Sequence, residues 1–340
     1  MRKIEMGRTG LMVTEIGFGG IPIIPLPMDE AVAVIRRCFE RGINFYDTAI
    51  RYGDSEKKLG LALEDLRDQV FLATKTIERY AAGAAGHIRQ SLESLRTEFI
   101  DIYQLHNVSK PEELEQVLAP GGAMEAMTAA MESGKIKHIG VTSHNIDIAI
   151  RACRTGRFAT VQIPFNFIEY EPADELFGVA ADYNMGVIGM KPLGGGLIGR
   201  PDLCMKWLQQ YPKVMPIPGF AALSEADEVL DMYDSPQPLT DTDWADIEKL
   251  RVELGRTFCH RCGYCQPCEQ GVKITEVLFF RSAAKRTGGP AAIALCKAAM
   301  QTVKDCIECG ECSERCPYHL PIPELLREYL DEYRSLGGPA

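Results

Sequence analysis

The sequence has no apolar run approaching the roughly 20 residues that a membrane helix requires. Its opening, MRKIEMGRTGLMV, lacks the long apolar core of a signal peptide, which predicts a cytoplasmic protein with no membrane partner. Positive charge is in deficit, with 37 Lys and Arg against 47 Asp and Glu and a formal net charge of -10. Affinity for nucleic acid comes mainly from clustered cations that release counterions, so no nucleic-acid partner is expected. Internal repeats and low-complexity tracts are missing, and 46% hydrophobic with 25% charged residues is the balance of a globular chain. The fingerprint G-x-G-x-x-G is missing too. GFGG at Gly17 to Gly20 has neither the last glycine nor the cradle spacing, which counts against a doubly wound open sheet. Cysteine is scarce for the first 250 residues, where only Cys38, Cys153 and Cys204 occur, and then crowded, with nine between Cys259 and Cys316. Without an export signal such crowding predicts metal ligation rather than disulfides, and the change near residue 255 marks a domain boundary.

What is present alternates. From Ile16 to about Tyr233, short β-rich runs (EIGFG, INFYD, VFLATK, FIDIYQLH, IKHIGVT, VQIPFN, GVIGMK, KVMPIPG) are separated by stretches of helical spacing. In DEAVAVIRRCFERG, Ala31, Val34, Ile35 and Phe39 share one face, Asp29 is placed as N-cap and Gly42 supplies the stop. Eight strands is the number that closes a parallel barrel. The first residues read as a β-hairpin that closes the bottom of that barrel. The expectation is therefore a (β/α)8 TIM barrel over residues 1–238, a helical linker over 239–255, and a small, mainly α-helical domain over 256–340.

Reactive residues of such a barrel belong at the C-terminal ends of strands. Asp47 and, in the loop after it, Tyr52 follow the second strand, Lys75 ends the third and His106 ends the fourth. Each alone has an ordinary explanation as a cap, a surface aromatic, a solvated strand end or a core-edge imidazole. Together they form a proton donor and acceptor for a carbonyl or an alcohol. A phenol is a poor acid at neutral pH, a neighbouring ammonium favours its ionised form, and a carboxylate can hold that ammonium.

With NFYDTAIRYGDSE, FLATK, DIYQLH, IGVTSHN, VQIPFN, GMKPLGGG and PIPGF in this order, the sequence resembles the aldo-keto reductase superfamily over residues 1 to 238. The resemblance implies an eight-stranded α/β barrel that reduces an aldehyde or ketone, or oxidises the alcohol, with a nicotinamide cofactor bound without a Rossmann domain. It implies Tyr52 as general acid, Lys75 lowering its pKa, Asp47 orienting Lys75, and His106 positioning the substrate oxygen. The carboxamide of the cofactor would be held from Ser143, His144 and Gln162, with His144 standing where relatives have Asn and Asn145 next to it. The run Lys191, Pro192, Leu193, Gly194 and Gly195 would approach the pyrophosphate, and Pro218 and Gly219 begin the stretch that grips the adenosine end. That stretch offers Glu225 where NADP-using relatives often carry cations, so NADH is favoured over NADPH.

The cysteines fall into two quartets. CHRCGYCQPC supplies Cys259, Cys262, Cys265 and Cys268, and CIECGECSERCP supplies Cys306, Cys309, Cys312 and Cys316 before Pro317. The second is the bacterial ferredoxin spacing, whose last cysteine serves the other cluster, while a zinc site has no need of a third cysteine so close. Two 4Fe-4S clusters are expected, with Cys259, Cys262 and Cys265 sharing one with Cys316, and Cys306, Cys309 and Cys312 the other with Cys268. The segment between reads as two helices broken at Gly288 to Pro290, resembling helical ferredoxin modules, with Cys296 as a small core residue. Hydride moves two electrons and a cluster one, and no flavin fingerprint is present to couple them. Structural clusters and clusters serving a redox carrier protein are therefore both open. Two readings of the whole stand beside the reductase: an electron-transfer or redox-sensing protein whose barrel only docks a nucleotide, and a redox-neutral enzyme with tightly held NAD.

Overall fold

The computed structural model describes residues 1–339. The chain divides into two compact units, Met1–Pro192 with Cys204–Pro238, and Leu193–Leu203 with the remainder from Leu239.

In the first unit a two-stranded hairpin precedes an eight-stranded parallel sheet. β1 (Lys3–Glu5) pairs antiparallel with β2 (Met12–Thr14), with Ile4 opposite Val13. The sheet contains β3 (Phe18–Gly19), β4 (Phe45–Asp47), β5 (Phe71–Thr76), β6 (Ile100–Leu105), β7 (Ile136–Thr142), β8 (Thr160–Pro164), β9 (Gly186–Met190) and β10 (Val214–Pro216), each beside its sequence neighbours. The ends meet through Gly17 N–H to Pro216 O at 2.9 Å and Gly19 N–H to Pro218 O at 2.7 Å. The fold is a (β/α)8 barrel with the hairpin that the sequence anticipates. β6 is buried throughout, as a parallel strand covered on both faces must be. Met6 and Val13 pack with Phe45, Ala73, Ile102, Ile188 and Met215, so the hairpin seals the N-terminal end of the barrel.

One local expectation is corrected. The helix Met28–Glu40 has Pro27 at its cap position, and Asp29 lies in its first turn with Glu30, where carboxylates favour the positive end of the helix dipole. Ala31, Val34, Ile35 and Cys38 form the buried face, with Cys38 rather than the expected Phe39 as its fourth member and Phe39 half-buried, and Gly42 leaves the helix at φ +99°.

The second unit is helical. Asp241–Leu254 starts with a capping box between Thr240 and Asp243. Phe280–Thr287 and Gly289–Met300 are separated by Gly288 at φ +80°, a conformation costly for any residue with a Cβ, and Ile322–Ser335 follows. Phe280, Ala292, Met300, Leu325, Leu326 and Tyr329 share one core with Cys265, Cys296, Cys312 and Cys316. Among the described residues no helix is long and apolar enough to cross a membrane.

Candidate active site

Asp47 ends β4 and Lys75 is the fifth residue of β5. Both are inside, at 2% and 1% exposure, where an unpaired charge would be costly. Lys75 Nζ donates to Asp47 Oδ1 and, at 2.6 Å, to Thr48 O. Gln104, opposite Lys75 on β6, donates to Asp47 Oδ2 at 2.9 Å, and Gln162 on β8 approaches Oδ1 at 3.5 Å. Burial holds the Asp47 carboxyl above the usual carboxylate range, against the pull of the Lys75 charge and the hydrogen bonds from Lys75, Gln104 and Gln162.

Above this pair stand two half-buried rings. Tyr52 lies in the turn between β4 and the helix Ser55–Leu63, and Lys75 Nζ is 5.1 Å from its ring centroid. His106, the residue after β6, meets Tyr52 edge to face, with centroids 5.6 Å apart at 83°. The four residues read from the strand ends therefore meet at one mouth of the barrel. Two further contributors, Gln104 and Arg79, carry no such strand-end signal in the sequence. Gln104 is two residues before His106 and so faces the same side of β6, while Arg79 donates to the carbonyls of His106 and Asn107, both at 3.0 Å. The period-two alternation in DIYQLH was the available signal for Gln104; nothing local announces Arg79.

The cofactor candidates are placed unevenly. Ser143 N–H donates to Gln162 O at 3.0 Å, which sets Ser143, just after β7, beside the middle of β8. Gln162 Oε1 is buried and accepts no hydrogen bond from any described residue, an orphaned acceptor that an amide ligand would satisfy. The His144 ring is fixed by Nδ1 against Asn107 Oδ1 at 2.8 Å, and the backbone N–H of His144 donates to Ser109 Oγ at 3.0 Å. Asn145 caps the helix Ile146–Arg154, accepting from Ile148 N–H. Lys191 leaves β9 at φ +55°, uncommon for a residue with a side chain, and its carbonyl accepts from Asn166. Pro218 bonds Gly19, and a Cβ on Gly219 would lie 2.2 Å from Gly19 O, so glycine there is demanded by barrel closure. Leu193, Gly194 and Gly195 fall in the second unit. A Cβ on Gly195 would stand 2.6 Å from Ser282 Oγ, and one on Gly194 3.0 Å from the Phe258 ring.

The thiols of the second unit form two groups. A pocket is lined by Cys268, Cys306, Cys309 and Cys312. Burial pushes the Cys265 thiol up, and the neighbouring thiols of Cys259, Cys262, Cys316 and Cys312 push it further the same way. His260, beside Cys259, stacks on Tyr318 with centroids 3.5 Å apart, which draws the first quartet toward the end of the second. Among the described residues no three His, Cys, Asp or Glu side chains are grouped to hold a single metal ion. A cubane, with four irons between its ligands, spaces thiolates more widely than one zinc at about 2.3 Å from each sulfur.

Residues 15–202 match the aldo/keto reductase family, and residues 258–321 match a 4Fe-4S dicluster domain. The chain belongs to the aldo/keto reductase family. It is an oxidoreductase by that membership and carries a 4Fe-4S domain in its C-terminal region. It is 33% identical over 221 residues to L-galactose dehydrogenase of Arabidopsis thaliana, across 58% of this chain and 68% of that protein. It is 31% identical over 214 residues to the aldo-keto reductase YhdN of Bacillus subtilis, across 57% of this chain and 61% of that protein. An aldo-keto reductase from Klebsiella pneumoniae in complex with NADPH shares the fold, with a TM-score of 0.62 at 22% identity over 74% of this chain and 95% of that one.

Proposed function

We propose that this aldo/keto reductase moves hydride between a nicotinamide cofactor and a small aldehyde or ketone, or the matching alcohol, with Tyr52 as general acid and base. The observation that carries the reading is the buried Asp47–Lys75 pair beneath the Tyr52 ring, with His106 edge-on beside it. When bound, the cofactor supplies or takes up the hydride. Tyr52 gives its O–H proton to the carbonyl oxygen as negative charge gathers there. Lys75 favours the phenolate that remains, and Asp47 keeps the ammonium in place. His106 orients the oxygen within reach of Tyr52.

Ser143 and Gln162 would hold the carboxamide, with His144 in the position of the family's Asn. NADH is the favoured form. No Lys or Arg occurs from Gly219 to Asp234, and Arg37 and Arg41 are occupied by Asp227, Asp231 and Asp234. Glu225 accepts from Ala221 N–H at 2.7 Å, which leaves a carboxylate in the stretch where a 2'-phosphate would need a cation. An anaerobic panel of aldehydes and ketones, with NADH and NADPH compared at equal concentration, tests this reading. Carbonyl-dependent oxidation faster with NADH supports it. Conversion of substrate without net cofactor oxidation would make the enzyme redox-neutral instead.

In the second unit, Cys259, Cys262, Cys265 and Cys316 would hold one 4Fe-4S cluster and Cys268, Cys306, Cys309 and Cys312 another. Cys309 and its neighbour Ile307 are exposed, which favours exchange of single electrons with a redox carrier protein at that surface over a purely structural role. Reduction by dithionite followed by electron paramagnetic resonance counts the clusters. Reoxidation by a small ferredoxin, but not by NAD, is the expected pattern.

A further inference from the structure

The helix Ser55–Leu63 begins three residues after Tyr52 and buries three polar side chains in its first four residues: Ser55, Glu56 and Lys58. Polar residues in a first turn ordinarily face water, and burying three of them is costly unless each finds a fixed partner. Each does, on a different part of the barrel. Ser55 Oγ donates to Gly20 O at 2.8 Å and accepts from Thr48 Oγ1 at 2.9 Å. Glu56 Oε1 accepts from Thr74 Oγ1 at 2.7 Å. Lys58 Nζ donates to Ile23 O at 3.0 Å and Ile24 O at 2.9 Å, and pairs with Asp54 at 2.8 Å. The approach is close enough to dictate composition, because a Cβ on Gly20 would lie 2.6 Å from Ser55 Oγ.

Two of these anchors also frame the ammonium. Thr48 accepts from Lys75 Nζ through its carbonyl while its hydroxyl donates to Ser55, and Ser55 N–H donates to Tyr52 O at 2.9 Å. Thr74 precedes Lys75 on β5. A continuous set of hydrogen bonds therefore runs from the Tyr52 loop to Lys75, separate from the aromatic and ionic contacts at the mouth.

We infer that Ser55 and Glu56 are positioning residues that fix the Tyr52 loop at a set distance from the Lys75 ammonium, with Lys58 holding the same turn from the Ile23–Ile24 loop. The inference rests on the proposed role of Tyr52. Proton transfer needs the phenol at a set place between the Lys75 ammonium and the substrate oxygen, so slack in the loop shows in the rate of hydride transfer before it shows in the fold.

The test is the rate of hydride transfer in a single turnover with saturating NADH and a reactive aldehyde, with cofactor binding measured alongside, in the full-length protein with its iron in place. Ser55→Ala and Glu56→Leu are each expected to slow that step by about 10-fold with the NADH dissociation constant unchanged. Thr48→Val and Thr74→Val delete the same bonds from the barrel side and are expected to reproduce the loss, which keeps the test open where a helix variant does not fold. A purely structural role would lower the thermal midpoint and leave hydride transfer at the wild-type rate; that result in the folded variants overturns the inference while the role of Tyr52 stands. Hydride transfer at the wild-type rate in Tyr52→Phe overturns both together.

Discussion

At the scale of single residues, the chemistry of Lys75 depends on what surrounds it. Its ammonium is almost fully enclosed and has one carboxylate, Asp47, with the Thr48 carbonyl as its second acceptor. Asp47→Asn keeps the shape and removes the counter-charge, leaving a buried cation unpaired. Urea unfolding should show a loss of about 3 kcal/mol, the scale of breaking a buried pair from one side. Turnover should fall by about 100-fold in the same variant, because an ammonium no longer held by its carboxylate is not kept in place beside Tyr52. Unchanged stability would mean that the pair contributes little. Asp47, Tyr52, Lys75 and His106 were legible in the sequence because each combines an ionisable or aromatic group with a strand-end position. Gln104 and Arg79 were not. An amide within a strand and an arginine in a loop have too many ordinary uses for residue type to single them out, and only the register of β5 against β6 shows what Gln104 faces.

At the scale of elements, glycine marks close approaches whose partners lie far along the chain. Gly194, Gly195 and Gly196 adopt φ values of 58°, 66° and 90°, and Gly195 O accepts from Ser282 Oγ at 3.0 Å. The sequence shows a triple glycine suited to a phosphate, but not Ser282, 87 positions on, whose hydroxyl fills the space a Cβ would need. Gly195→Ala meets a left-handed backbone as well as that hydroxyl, and should destabilise the second unit by about 2 kcal/mol in denaturant titrations. The eight strands, by contrast, could be read directly, since each is a short apolar run between turn residues. The helix start at Met28 rather than beyond Asp29 shows the usual limit: several residues near a terminus can serve, and proline at position 27 takes the cap position without donating or accepting through a side chain. The cysteine unit adds a dependence of another kind. Cys265, Cys312 and Cys316 are members of its apolar core, so removing iron leaves that core with unsupported thiols. Chelation under anaerobic conditions should melt the helices from Phe280 onward while the barrel keeps its thermal transition. Simultaneous loss of both transitions would contradict it.

At the scale of the whole molecule, a barrel and an iron-sulfur unit sit on one chain, with hydride chemistry proposed for the first and single-electron exchange for the second. The fold was legible because a parallel barrel repeats one supersecondary unit eight times. The substrate was not, because loops at the barrel mouth set it and their residues carry no periodic constraint. The central claim is that Tyr52, supported by Lys75 and Asp47, is the proton donor of a nicotinamide-linked reaction. It is tested most directly by Tyr52→Phe, measured in a single turnover with NADH and a reactive probe such as 4-nitrobenzaldehyde, alongside cofactor binding by fluorescence. Hydride transfer is expected to slow by at least about 100-fold with the NADH dissociation constant unchanged. A variant that transfers hydride at the wild-type rate would contradict it.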